Sequence, residues 1–84
     1  MTLNIKILGG GCANCERLEQ YAKTAVAQLG VEAIFTKSGD PVEYARYGIL
    51  ATPGLVVNDK LVSAGRVPAV SQVVTLIANE LAAA

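Results

Sequence analysis

Gly9-Gly10-Gly11-Cys12-Ala13-Asn14-Cys15 carries both cysteines of the chain and lies where one hydrophobic period gives way to another. Upstream, Leu3-Asn4-Ile5-Lys6-Ile7-Leu8 alternates apolar and polar over most of its length, which predicts a strand. Downstream, Cys15, Leu18, Tyr21, Ala22, Ala25, Val26 and Leu29 recur at the three-and-four spacing of a helix with one buried stripe, and Gly30 supplies its stop. The cysteines therefore stand between a strand end and a helix start. Two intervening residues let one turn of chain bring both sulfurs within bonding reach, while the first helical turn aims its free N–H groups at the first sulfur. That arrangement favours a thiolate at Cys12, the physical basis of thiol-disulfide exchange. Cys15 falls on the apolar stripe and should point inward. An exposed attacking Cys12 and a sheltered resolving Cys15 are the expectation.

Beyond Gly30, residues 31–36 read as a second short strand. Asp40 and Pro41 then offer an N-cap and a first helical residue for a short helix to about Tyr47, closed by Gly48. After Thr52-Pro53-Gly54 comes a hairpin: residues 55–57, a polar turn at Asn58-Asp59-Lys60, and residues 61–63, with Gly65 ending the pair or marking a bulge. Pro68 opens a last helix with Val70, Val73, Val74, Ile77 and Leu81 on one face. The order βαβαββα predicts an α/β domain: a four-stranded mixed sheet with helices on both faces, formed by residues 1–84 as one unit.

Composition narrows the chemistry. The chain has 84 residues, 52% of them apolar, which suffices for a core without a metal or a disulfide framework. It has no histidine, which removes Ser-His-Asp and Cys-His nucleophiles and nearly every catalytic zinc site. Seven Lys and Arg balance seven Asp and Glu without a basic run, so nucleic acid is not an expected partner. No stretch is long and apolar enough for a signal-peptide core or a membrane span, and a cytoplasmic monomer is expected. In that compartment two cysteines three apart are redox-active or metal-binding more often than a structural staple.

Other uses of the pair stay open on the residues alone. Four-coordinate zinc would need two chains around a shared ion. Two thiolates suffice for Cu(I), and Gly10-Gly11-Cys12-Ala13-Asn14-Cys15 resembles the metal loop of copper chaperone domains. Those domains run strand, helix, strand, strand, helix, strand, whereas this chain ends in a helix and carries Thr52-Pro53. A purely structural pair would leave three adjacent glycines without an evident packing purpose.

Cys12-Ala13-Asn14-Cys15 opening a helix after the first strand, joined to Tyr47-Gly48-Ile49-Leu50-Ala51-Thr52-Pro53 ahead of a hairpin, resembles the thioredoxin superfamily over essentially the whole chain. The short length and the style of the cysteine loop are most similar to its small redox-active disulfide group. The resemblance implies a protein disulfide reductase that needs no bound cofactor beyond a redox-active Cys12-Cys15 disulfide. It also implies disulfide-containing protein substrates and an upstream reductase such as a thioredoxin reductase. A cis peptide at Thr52-Pro53 would pack against the disulfide, and Gly11, Ala13, Thr52, Pro53 and Gly65 would form the substrate-contacting rim. A glutathione-dependent, glutaredoxin-like reductase is compatible with the same proline, although the Cys-Pro-Tyr-Cys pattern is missing. Two departures stand out. The usual tryptophan before the first cysteine is replaced by Gly11, implying a flatter substrate groove, and the usual buried Asp six residues before that cysteine is replaced by Lys6. Lys6 is thus a candidate electrostatic modulator of the thiols, or simply a lysine with its stem laid along a partly open face.

Overall fold

The computed structural model describes residues 2–83. Period-two alternation puts Leu3, Ile5 and Ile7 on one face of strand β1 (Thr2–Leu8), and all three are buried. β1 pairs in parallel with β2 (Glu32–Ser38), from Thr2 opposite Glu32 to Leu8 opposite Ser38. A parallel pair needs a long crossover, and helix α1 (Ala13–Leu29) provides it. β1 also pairs antiparallel with β3 (Gly54–Val57), which pairs in turn with β4 (Lys60–Ala64), giving the sheet order β2-β1-β3-β4. Helix α2 (Pro41–Tyr47) follows β2, and helix α3 (Val70–Ala83) follows β4. The chain is therefore an α/β fold with a four-stranded mixed sheet and three helices, in the expected order βαβαββα.

The two sheet faces are unequal. α1 and α3 cover one of them, where Leu18, Ala22, Ala25 and Val26 of α1 and Val73 and Ile77 of α3 pack with Leu3, Ile5, Ile7, Leu55 and Val57. This is the main core. The opposite face holds a smaller cluster of Leu8, Ile49 and Val56, flanked by Tyr44, Tyr47 and Leu61. α2 buries no residue completely and depends more on its ends: Asp40 Oδ1 accepts from the Val42 N–H at 2.9 Å, Pro41 begins the helix, and Gly48 closes it at φ 72°.

Several details differ from the sequence reading. β2 begins one residue later than expected and runs two further, because Lys37 and Ser38 continue the ladder with Ile7 and Leu8. The hairpin turn has two residues rather than three: Asn58 and Asp59 take φ of 50° and 67°, as a type I′ turn requires, which releases Lys60 into β4. The strand pair ends at Ala64, so Gly65 terminates it as expected, and the β-bulge falls inside β4 at Val62, since Leu55 faces Ser63 while Val56 faces Leu61. α3 starts at Val70, after a fully buried Pro68. Its entry is capped at Ala69, whose carbonyl accepts from Val73 N–H at 3.0 Å and whose N–H donates to Gln72 Oε1 at 3.2 Å.

Candidate active site

The strand register assembles the site. Leu8 lies opposite Gly54, and Gly54 opposite Ala64, so the end of β1, the entry to β3 and the exit from β4 meet at one edge of the molecule. The chain leaves β1 with Gly9 still tied to β2, its N–H donating to Ser38 O at 2.8 Å. Gly11 then turns at φ +83°, a left-handed conformation that side chains rarely adopt. Cys12 follows as the N-cap of α1. Its carbonyl accepts from Glu16 N–H at 3.0 Å, and its Sγ accepts from Cys15 N–H at 3.1 Å. A sulfur in that position receives one of the N–H groups that the helix start cannot satisfy internally, an interaction that strengthens if the sulfur becomes anionic.

Cys12 and Cys15 are joined in a disulfide with their Cα atoms 5.1 Å apart. Their environments are opposite: Cys12 is exposed, and Cys15 is 2% exposed. The difference follows from the helix, because Cys15 heads the stripe that continues through Leu18 and Ala22 into the main core. Gly11 and Ala13 flank Cys12 on the open surface.

Thr52 and Pro53 approach from the other side. The peptide bond between them is cis, Pro53 is buried, and its carbonyl accepts from Gly65 N–H at 2.9 Å. Thr52 is exposed, and its Cβ would lie 3.9 Å from a side-chain carbon built on Gly9, in the space beside Cys15. Gly65 packs close by, where an added Cβ would stand 3.4 Å from Ala51 Cβ. The structure thus brings Gly11, Cys12, Ala13, Cys15, Thr52, Pro53 and Gly65 to one region.

Lys6 is not part of it. It points to the sheet face opposite α1, where its Nζ lies 3.5 Å from Glu43 Oε1, 3.5 Å from Tyr47 Oη and 5.3 Å from the centre of the Tyr47 ring. Tyr47 Oη in turn donates to Asp59 Oδ1 at 3.4 Å. The ammonium is engaged in holding α2 to the sheet.

Two neighbours of the site escape a reading of the sequence. Gly9 is buried directly against Cys15, which gives the glycine run the packing purpose it seemed to lack; three glycines where a turn needs one were the available signal. Leu50, two residues before Thr52, is fully exposed at 103% and presents a bare aliphatic side chain next to the rim. Its exposure has no sequence signature, since Ile49 beside it is buried. Among the described residues no three His, Cys, Asp or Glu side chains cluster as a metal site would need. No described helix is long and apolar enough to cross a membrane.

Comparison with known proteins agrees with this geometry. Residues 3–78 match the family described as Thioredoxin domain. A protein named thioredoxin from Methanothermobacter thermautotrophicus is 43% identical over 65 residues, 77% of this chain and 84% of that protein. One from Methanocaldococcus jannaschii, also named thioredoxin, is 35% identical over 69 residues, 82% of this chain and 79% of that protein. Among solved structures, thioredoxin 1 of Thermosipho africanus superposes with a TM-score of 0.62 at 14% identity, covering 95% of this chain and 96% of that one. A structure described only as that of a malarial protein gives 0.68 at 11% identity, covering 96% and 99%. At such identities these two likenesses speak for the fold, while the archaeal relatives and the domain match carry the assignment. Because the matched span includes both the Cys12-Cys15 turn and the Thr52-Pro53 turn, the chain belongs to the thioredoxin family and is a thiol-disulfide oxidoreductase.

Proposed function

We propose that the thiolate of Cys12 attacks one sulfur of a disulfide in a protein substrate, and that Cys15 resolves the product. In the first step a Cys12-substrate bond forms, and the substrate's other sulfur leaves as a thiolate that takes a proton. In the second, the Cys15 sulfur, having lost its proton, attacks Cys12, and the remaining substrate thiol is released. The substrate gains two electrons and two protons, and the protein is left with the Cys12-Cys15 disulfide. An upstream reductase such as a thioredoxin reductase returns it to the dithiol. The pair is itself the redox group, so the cycle has no place for a bound cofactor. The cytoplasm, where substrates need reducing, is the compartment that suits this cycle.

The observation that carries this reading is the unequal exposure of the two sulfurs. Only Cys12 is open to a substrate as large as a protein, and its position as helix N-cap favours the thiolate. Gly11, Ala13, Thr52, Pro53 and Gly65 form the surface on which an extended substrate segment would lie, with Leu50 offering it an apolar contact. Trapping tests the order of events. Cys15→Ser, mixed with a disulfide-bonded protein substrate, should accumulate a one-to-one mixed disulfide through Cys12, seen as a summed mass that dithiothreitol splits. An adduct through any other atom, or none, would remove Cys12 from the role.

Lys6 is assigned to packing rather than to the thiols. Lys6→Met removes one of the two cations beside Glu43, leaving Arg46 Nη1 at 3.7 Å from its Oε2, and should cost about 1 kcal/mol in urea unfolding. The rate of disulfide exchange should stay within about threefold of the parent, which corresponds to less than one kcal/mol of barrier. A tenfold loss of rate in the folded variant would restore Lys6 as a modulator.

A further inference from the structure

Gly9 occupies a position where no side chain fits. A Cβ built there would overlap Cys15 Sγ and stand 3.0 Å from Cys15 Cβ, whereas one built on Gly10 would meet nothing within 4 Å. Neither partner yields easily. The Gly9 backbone is held by its bond to Ser38 O, and Cys15 sits in the first turn of α1 with its N–H on Cys12 Sγ.

We propose that Gly9 is a positioning residue for the redox couple: by having no side chain it leaves open the volume that the Cys15 sulfur fills when bonded to Cys12. Residue 9 then sets the balance between disulfide and dithiol. The inference rests on the reading that Cys12 and Cys15 cycle between those states. The couple is disulfide plus two electrons and two protons to two thiols. In the disulfide, Cys15 Sγ is tethered through Cys12 and cannot rotate away from a methyl group at position 9. In the dithiol the tether is cut, and the sulfur is free to move to another staggered position about χ1. Alanine at position 9 therefore penalises the oxidised form more than the reduced one. The equilibrium moves towards dithiol, making the protein a weaker reductant.

The test equilibrates the parent, Gly9→Ala and Gly10→Ala with glutathione buffers of graded ratio and counts the dithiol fraction by alkylation and mass. The equilibrium constant of Gly9→Ala should shift towards dithiol by about tenfold or more, roughly 30 mV upwards in potential. Gly10→Ala should stay within about twofold of the parent. A Gly9→Ala constant that also stays within about twofold would overturn the proposal. A parent pair that never changes state in any buffer would instead overturn the underlying reading of the cysteines. Unfolding in urea supplies a second readout, because Gly9→Ala should weaken the oxidised protein more than the reduced protein; equal losses would reduce Gly9 to a packing residue. If Gly9→Ala does not fold even as the dithiol, the freed sulfur does not clear the methyl group and the proposal is overturned; if it folds only as the dithiol, the proposal is supported.

Discussion

Cys12→Ser is expected to lower the rate at which the protein reduces a model protein disulfide by about a thousandfold or more, effectively to background. A serine hydroxyl does not ionise near neutral pH, whereas a thiol at a helix N-terminus is poised to do so. The second cysteine cannot take over, because Cys15 is 2% exposed and a protein substrate cannot reach it. Loss of folding is not the expected cause. Serine is among the preferred N-cap residues, and its oxygen can accept the Cys15 N–H bond that Cys12 Sγ accepts now. The variant should therefore unfold in urea close to the reduced parent, the proper reference for a chain without the disulfide. Turnover assayed with excess dithiol, together with that unfolding curve, separates the two effects. Retention of a tenth of the parent rate or more would place the nucleophile elsewhere.

Much of this site is legible in the order of residues because its chemistry depends on local relations. Cys12 and Cys15 are separated by a helical turn, and the apolar stripe that begins at Cys15 already distinguishes the sheltered sulfur from the open one. The alternation in β1 and the stripe of α1 are equally local, and both appear in the structure as read. What the residues conceal depends on contacts between distant segments. Lys6 is an example: its place in β1 is legible, but its engagement with Glu43 and Tyr47 depends on how α2 lies across the sheet. Gly9 is another, since its role depends on a sulfur six positions away being folded back against it. The late end of β2 likewise follows from its pairing with Ile7 and Leu8 rather than from the character of Lys37 and Ser38. Local pattern thus identifies elements and reacting atoms, while ladder pairing and close packing decide which neighbours restrain them.

Leu18→Ala should destabilise the protein by about 2–5 kcal/mol, with the urea midpoint falling and the slope little changed. Leu18 is completely buried one turn beyond Cys15, where it packs with β1, β3 and α3. Truncation removes the transfer energy of its side chain and leaves a cavity that the helix and sheet, held by their other contacts, close only in part. At about 0.05–0.15 kcal/mol per residue, a chain of 84 residues has roughly 4–13 kcal/mol in total, so the loss is a large share. Val42→Ala is the contrasting case: at 66% exposure it should change stability by no more than about 0.5 kcal/mol. A cost below about 1 kcal/mol for Leu18→Ala would mean that the packing described around it is wrong. The same substitution links fold to chemistry. The cysteines differ because α1 is pressed onto the sheet at its first turns, burying Cys15 while Cys12 caps the end. With that anchor weakened, the first turn of α1 should open more often than the rest of the fold, as segments with fewer buried contacts do. Reduced Leu18→Ala should accordingly alkylate at Cys15 faster than the reduced parent under native conditions, with Cys12 changing much less. An unchanged Cys15 rate, despite the lost stability, would show that its burial is secured by the Gly9 turn and the Thr52-Pro53 segment rather than by the helix beneath it.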